Sequence, residues 1–278
     1  MPAFRLGPRL QLYDAVYLAI GLVLCLAVPF RSGGLTATLS VAACTAAYAI
    51  FLGQSHPGSR PRLAAAYLAT WALYAGSSHL IEVMRIPLQS ARLLAWDKSL
   101  FGQSPALLPN GNLAVWQWEV LALAYLSYHV YLQWALLDAL SRDADWRADL
   151  SDWLFLAFGA GFIGYLVFPA AGPMSAFPDV CKPLPATGLF SALNNGINAT
   201  LGARYDAFPS LHTLITLTLL AWDWRRLRVR FWIMIVPSLL MLASTLILRL
   251  HYAADLIASG VIFVLLMGIH AGLAHKKA

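Results

Sequence analysis

The chain has 278 residues, of which 60% are hydrophobic and only 12% charged, against ~25% charged in a soluble globular protein. With a mean hydropathy of +0.66, a water-soluble fold would leave apolar surface uncovered; composition therefore excludes a soluble enzyme, a disordered scaffold and a small secreted disulfide domain, and points to membrane-spanning helices. The net charge of +6 does not indicate a nucleic-acid partner, because the basic residues are scattered between apolar runs instead of lying along one stripe.

In chain order, apolar stretches near the ~20 residues that cross a bilayer fall at about 12–30, 35–52, 63–84, 114–137, 151–170, 207–223, 231–249 and 252–272. The first is read as a retained span and not a cleaved signal, since it carries Asp14 and runs into Pro29-Phe30-Arg31 without a small-x-small site. Cys25 and Cys44 lie in apolar runs and read as packing residues. Cys181 lies in a polar stretch and is expected to be open to aqueous thiol reagents; no disulfide framework is implied. Two longer connections, 85–113 and 171–206, are rich in Pro and Gly. No soluble domain, repeat or low-complexity tract interrupts this pattern, so the expected fold class is all-α, a polytopic membrane helix bundle of about eight spans.

The positive-inside rule orients it. With a cytoplasmic N-terminus, the inside segments collect Arg5, Arg9, Arg60, Arg62, Arg142, Arg147, Arg225, Arg226, Arg228, Arg230, Lys276 and Lys277. The outside keeps the smaller set Arg31, Arg85, Arg92, Lys98, Lys182, Arg204 and Arg249. This places the 171–206 loop and the short 249–252 connection on the same non-cytoplasmic side. The preference for Arg over Lys, with abundant Ala and Leu, suggests a bacterial inner or plasma membrane.

Ionisable residues inside spans are costly and are functional candidates by default. Asp14, Glu82 and Glu119 stand alone in apolar surroundings and read as structural, as do His79 and His129. Two places resist that reading. In Arg204-Tyr205-Asp206-Ala207-Phe208-Pro209-Ser210-Leu211-His212 a loop turns into the sixth span. Pro209 fits the first turn of a helix, whose free N–H groups, with the Ser210 hydroxyl, would face an anion. Asp206 is expected as a helix cap or as the ion-pair partner of Arg204. In Arg249-Leu250-His251-Tyr252-Ala253-Ala254-Asp255 the seventh span gives way to the eighth. His251 and Asp255 are four apart and would share a helix face, with the carboxylate taking the imidazole N–H. Both places lie on one expected membrane face, and together they hold what phosphoryl transfer needs: a nucleophile in a fixed tautomer, a proton donor and positive charge.

Pro209-Ser210-Leu211-His212 and the later His251-x3-Asp255 resemble the signature blocks of the type-2 phosphatidic-acid phosphatase superfamily. The usual phosphatase block has Ser-Arg separated by five residues from the histidine; Ser244-Thr245 stand there instead. Arg249 directly before Leu-His-Tyr is similar to the branch that contains inositol phosphorylceramide synthase and, more distantly, sphingomyelin synthases. The stretches Trp96-Asp97-Lys98-Ser99-Leu100-Phe101-Gly102-Gln103-Ser104-Pro105 and Phe168-Pro169-Ala170-Ala171-Gly172-Pro173 also look like that branch. The superfamily's Lys ahead of an Arg-Pro pair is missing, and Arg204 is a partial substitute.

The resemblance implies a six-helix phosphatase-like core within residues 63–278, preceded by an N-terminal pair of spans at 1–62. It also implies roles. His251 attacks phosphorus to give a phosphohistidine, Asp255 orients it, His212 protonates the leaving alcohol, and Ser210, Arg249 and Arg204 hold phosphoryl oxygens. No metal or cofactor is expected. The partners are membrane lipids: a phospholipid donor, and water or a lipid alcohol as acceptor. The motif does not separate a simple phosphatase from a phosphotransferase that moves an inositol-phosphate-type head group. A lipid or anion transporter binding an anionic head group without chemistry is the reading from a different class.

Overall fold

The computed structural model describes residues 9–27, 35–108, 113–181, 188–202 and 204–275. Arg5, Arg31, Lys182, Lys276 and Lys277, used above for orientation, lie outside them. The helices run in the order α1 (Leu12–Ala27), α2 (Leu35–Gln54), α3 (Arg60–Met84), α4 (Ser90–Phe101), α5 (Val115–Ser141), α6 (Ala144–Val167), α7 (Pro173–Ala176), α8 (Leu189–Leu201), α9 (Leu211–Arg226), α10 (Arg228–Ile247) and α11 (Ala253–His275). Among the described residues there is no strand; Ala170 and Asp206 form an isolated parallel bridge. The fold is all-α, and within the described residues each of the eight apolar stretches coincides with a helix. Four of these helices, Val115–Ser141, Ala144–Val167, Arg228–Ile247 and Ala253–Gly272, are long and apolar enough to cross a membrane, while Leu12–Ala27 and Thr38–Gln54 are apolar but shorter.

Caps, and not the apolar runs alone, set the ends. α3 begins where the Ser59 hydroxyl accepts the Arg62 N–H with Pro61 in the first turn, and it ends at Arg85 in the left-handed region, φ 51°. α6 begins seven residues before the expected span because Asp143 accepts the Trp146 N–H at 2.8 Å. The two connections are not bare loops: 85–113 contains α4, and 171–206 contains α7 and α8.

The chain resolves into two compact units. The first takes 1–86, 135–167 and 262–278. Its centre is α6, buried on nearly all sides, with Phe155 against Tyr13 (ring centroids 5.3 Å) and Phe162 against Tyr17 (6.4 Å). Asp14 is structural, as the sequence suggests. It pairs with the buried Arg62 guanidinium at 2.5 Å and also accepts the Tyr48 hydroxyl at 2.8 Å and the Gln11 N–H at 2.9 Å.

The second unit takes 87–134 and 168–261. α9 and α10 form a packed hairpin joined at Leu227. Arg230 reaches back to Asp223 with two hydrogen bonds (2.8 and 2.7 Å), and Tyr131 donates to the same carboxylate at 2.7 Å. Of the four arginines counted as one orientation signal, Arg230 is therefore a buried ion-pair partner, whereas Arg225, Arg226 and Arg228 are exposed. Along α10 an outward row, Val229, Trp232, Val236 and Leu239, is 57–76% exposed. Such a row fits hydrocarbon and would be a liability in water.

Candidate active site

The site lies wholly within the second unit and is built on two helix starts. α9 opens at Ser210, whose hydroxyl accepts the Thr213 N–H at 3.3 Å and lies 3.1 Å from Thr213 Oγ1. Pro209 thus precedes the cap and does not sit in the first turn, and Asp206 is not the cap: a hydroxyl at the helix boundary competes for the free N–H better than a carboxylate four residues upstream. Ser210 is fully buried, and its carbonyl accepts from Ser259 of α11 at 3.0 Å. His212 follows in the first turn, its ring walled by Tyr125 and Tyr128 of α5 (centroids 4.9 and 4.6 Å), with His129 at 6.4 Å.

The second start follows a chain reversal. Past α10, the N–H groups of Leu250 and His251 both return to the Thr245 carbonyl (2.9 and 3.2 Å), and Arg249 takes the left-handed conformation, φ 58°. α11 then opens at Ala253, so His251 precedes the helix and does not share a helical face with Asp255. The carboxylate of Asp255 reaches back to the Tyr252 N–H at 2.8 Å, as a capping-box acid does, and lies 3.4 Å from His251 Nδ1. The nearer acceptor for Nδ1 is the Ala207 carbonyl at 2.9 Å. Two acceptors at Nδ1 fix the proton there and leave Nε2 as the free lone pair. That Nε2 lies 3.2 Å from His212 Nδ1.

Three further parts hold this loop. Asp97 of α4, fully buried, accepts the first two N–H groups of α11, from Ala253 (3.2 Å) and Ala254 (2.8 Å), and receives the Ser104 hydroxyl at 2.5 Å. The segment 168–173 ties the start of α4 to both halves of the site. Its Ala170 carbonyl accepts the Ala207 N–H (3.0 Å), its Ala171 carbonyl accepts the Tyr252 hydroxyl and Ser90 Oγ (3.1 Å each), and the Arg249 carbonyl accepts the Met174 N–H just beyond (3.0 Å). Gly172 is required here, since a Cβ would collide with the Leu250 carbonyl oxygen. Trp96, Phe168 and Phe208 pack face to face and edge to face at 4.7–6.4 Å, pinning α4, this segment and the loop before Pro209 together.

Of the residues expected in the site, His212, His251 and Asp255 come together directly. Arg249 is buried in the same loop, close enough to act electrostatically on the Cys181 thiol. Arg204 is exposed on the turn before Asp206, outside the buried cluster. Cys181 is not open to reagents: it is 4% exposed, its thiol donates to the Pro173 carbonyl at 3.4 Å, and burial pushes its pKa up despite the Arg249 charge. Glu119 caps α8, its carboxylate accepting from the N–H groups of Phe190 and Ser191 (2.8 and 3.1 Å). The sequence assigns no role to Tyr125 and Tyr128, places Asp97 only within a stretch of family resemblance, and marks His129 as structural. Tyr125, Tyr128 and His129 recur at i, i+3 and i+4 on α5, a spacing that announces one helical face. Among the described residues no group of three or more His, Cys, Asp or Glu side chains is arranged to hold a metal ion.

No curated protein and no solved structure matches the chain. A family model described as the PAP2 superfamily matches residues 91–269, which takes in α4, the segment 168–173, both helix starts and the histidine pair. The chain therefore belongs to the PAP2 superfamily, and is an integral membrane protein of a family of phosphatases and phosphotransferases.

Proposed function

We propose that the protein transfers a phosphoryl or phospho-head-group from a membrane phospholipid through a phosphohistidine at His251. The observation that carries this reading is the 3.2 Å approach of His251 Nε2 to His212 Nδ1, with the opposite nitrogen of His251 held on the Ala207 carbonyl. Nε2 is thereby the nucleophilic end. It forms the N–P bond as the P–O bond to the lipid alcohol breaks, and His212, protonated beside the anionic phosphate, gives its proton to that departing oxygen. In the second step His212 takes a proton from the acceptor hydroxyl, whose oxygen attacks phosphorus and releases His251. Asp255 balances the positive charge that develops on the His251 ring. Ser210, with its lone pairs turned to Thr213, keeps its O–H as a donor for a phosphoryl oxygen, and Arg249 supplies positive charge from the same loop. Arg204, exposed on the turn before Asp206, is assigned to first contact with the phosphate.

The acceptor is water in a phosphatase and a lipid alcohol in a transferase; the likeness to the inositol phosphorylceramide synthase branch favours transfer. Catalysis is assigned to residues 63–278, and residues 1–62 contribute no side chain described in the site. The positive-inside distribution supports a site on the non-cytoplasmic face of a bacterial inner or plasma membrane. The test is incubation of the purified protein with labelled phospholipids, with and without diacylglycerol or ceramide. A new phospholipid identifies a transferase and free phosphate a phosphatase; no product from any lipid overturns the reading in favour of a binding or transport protein.

A further inference from the structure

α8 is amphipathic in the inverted sense. Ser191, Asn194, Asn195 and Asn198 recur at i, i+3, i+4 and i+7 and so occupy one helical stripe, and all four line a cleft with Trp118 and Tyr125 of α5. The opposite side carries Leu189 and Leu193, 67% and 47% exposed. A helix that lines a cleft with its carboxamides and turns its leucines outward is not packing a core. The cleft adjoins the histidine pair through shared walls: Tyr125 packs on His212, and Leu248 and Leu250 flank Arg249. Asn194 is 5% exposed, and its Nδ2 donates to the Ala122 carbonyl at 2.9 Å, which fixes the amide orientation. Its Oδ1 is then a buried acceptor with no partner among the described residues, a state that costs free energy unless something donates to it.

We propose that this asparagine stripe is a hydroxyl-recognition subsite for the polyol part of a lipid substrate, seated beside the phosphoryl centre; the assignment rests on the phosphoryl-transfer reading of that centre. The chemistry selects the class. The residues lining the cleft carry no formal charge; the Glu119 carboxylate behind Ser191 is engaged by the Ser191 hydroxyl and the first N–H groups of α8, and Arg249 is assigned to the phosphoryl centre, so the stripe itself offers an ammonium or a second phosphate no dedicated counter-charge. One Asn194 N–H is taken by the Ala122 carbonyl and Asn198 Oδ1 accepts the Tyr125 hydroxyl at 3.4 Å; the donors and acceptors that remain on the carboxamides are what a hydroxyl matches with its own acceptor and donor. An O–H directed at Asn194 Oδ1 removes the unsatisfied acceptor, whereas a choline methyl would leave it stranded. The polyol can be the head group of the donor, such as glycerol or inositol on the phosphate, or the free hydroxyl of an acceptor lipid.

The test is lipid retention by the full chain in detergent, read by native mass spectrometry after equilibration with an equimolar mixture. The mixture contains phosphatidylinositol, phosphatidylglycerol, phosphatidic acid, phosphatidylcholine, diacylglycerol and its acetylated analogue. Wild-type protein is expected to favour the polyol phospholipids over phosphatidic acid and phosphatidylcholine, or diacylglycerol over its acetylated form, by about tenfold, the scale of one or two hydrogen bonds. The first preference makes the donor head group the occupant, the second the acceptor. Asn195→Leu and Asn198→Leu, at exposed and half-buried positions that tolerate leucine, should each bring that ratio toward one, whereas Gly260→Ala should keep it. Absence of both preferences in the wild type, a preference for the choline lipid, or a preference surviving both leucine variants overturns the subsite. Turnover measured on the same preparations separates the two claims: a hydroxyl preference lost in the variants, with no lipid converted, retains the subsite and removes the phosphoryl-transfer reading.

Discussion

The Nδ1 atom of His212 lies 3.2 Å from the Nε2 atom of His251, although 39 residues separate the two in sequence. One hydrogen bond joins the rings, so a phosphoryl group can reach His251 only by entering between them. A complex with orthovanadate should therefore open the pair to about 5 Å, with an oxygen accepting from His212 and vanadium on Nε2. A complex that leaves the rings hydrogen-bonded to each other would place the chemistry elsewhere.

His212→Ala separates its role from that of the nucleophile. As general acid, His212 is needed when the leaving oxygen is an alkoxide and hardly at all when it is a nitrophenolate. Turnover of a phospholipid should fall by roughly 10²–10⁴-fold, and turnover of a p-nitrophenyl phosphate ester far less. Equal losses on both substrates would contradict the assignment.

Asp97 touches no reacting group, yet it sets where α11 begins by filling the first two N–H positions of that helix. Asp97→Ala should cost about 1–2 kcal/mol, as a lost cap does, read as a lower unfolding midpoint in detergent. It should also reduce kcat with little change in KM, because a displaced His251 still permits lipid binding. Asp97→Asn keeps one acceptor oxygen and should recover part of both. A stability loss without a kcat loss would reduce Asp97 to a structural cap alone.

Gly172 offers a backbone test. Its substitution by Ala would push the Leu250 carbonyl away and shift the loop that carries Arg249 and His251. Activity should drop by about 10²-fold, the usual cost of a small misplacement of reacting groups. Gly260→Ala, in open space on α11, should leave activity near wild type. Similar behaviour of the two variants would show that the close approach is unimportant.

Orientation is accessible to cysteine labelling in whole cells, in a background with Cys25, Cys44 and Cys181 replaced. A cysteine in place of the exposed Asp179 should react with a reagent that cannot cross the membrane, and one at the exposed Arg226 should not. The reverse pattern would turn the site to the cytoplasm.

The eight apolar stretches were legible because hydropathy is local: each of their helices carries its own apolar run, whereas α4, α7 and α8 lie in the connections and carry none of the eight. Their ends shifted where polar caps decide, as at Asp143 for α6 and Ser210 for α9. The histidine pair was legible for a different reason. Ser210-x-His212 and His251-x3-Asp255 are short patterns whose residue types have few other uses inside a membrane. What stayed hidden depends on main-chain partners far along the chain. Asp97 bonds two N–H groups 156 and 157 residues away, and a peptide N–H leaves no mark in a sequence. Glu119 could be recognised as structural, but not that it starts α8 and thereby turns the asparagine stripe toward the cleft.

The proposed intermediate is covalent, a phosphoryl group on His251 Nε2, and can be trapped. Protein mixed with phospholipid labelled at phosphorus, quenched in base and digested, should carry acid-labile, base-stable phosphate on the peptide containing His251, formed at a rate no slower than turnover and absent in His251→Ala. Label on a different residue, or steady turnover by His251→Ala at the wild-type rate, would contradict it.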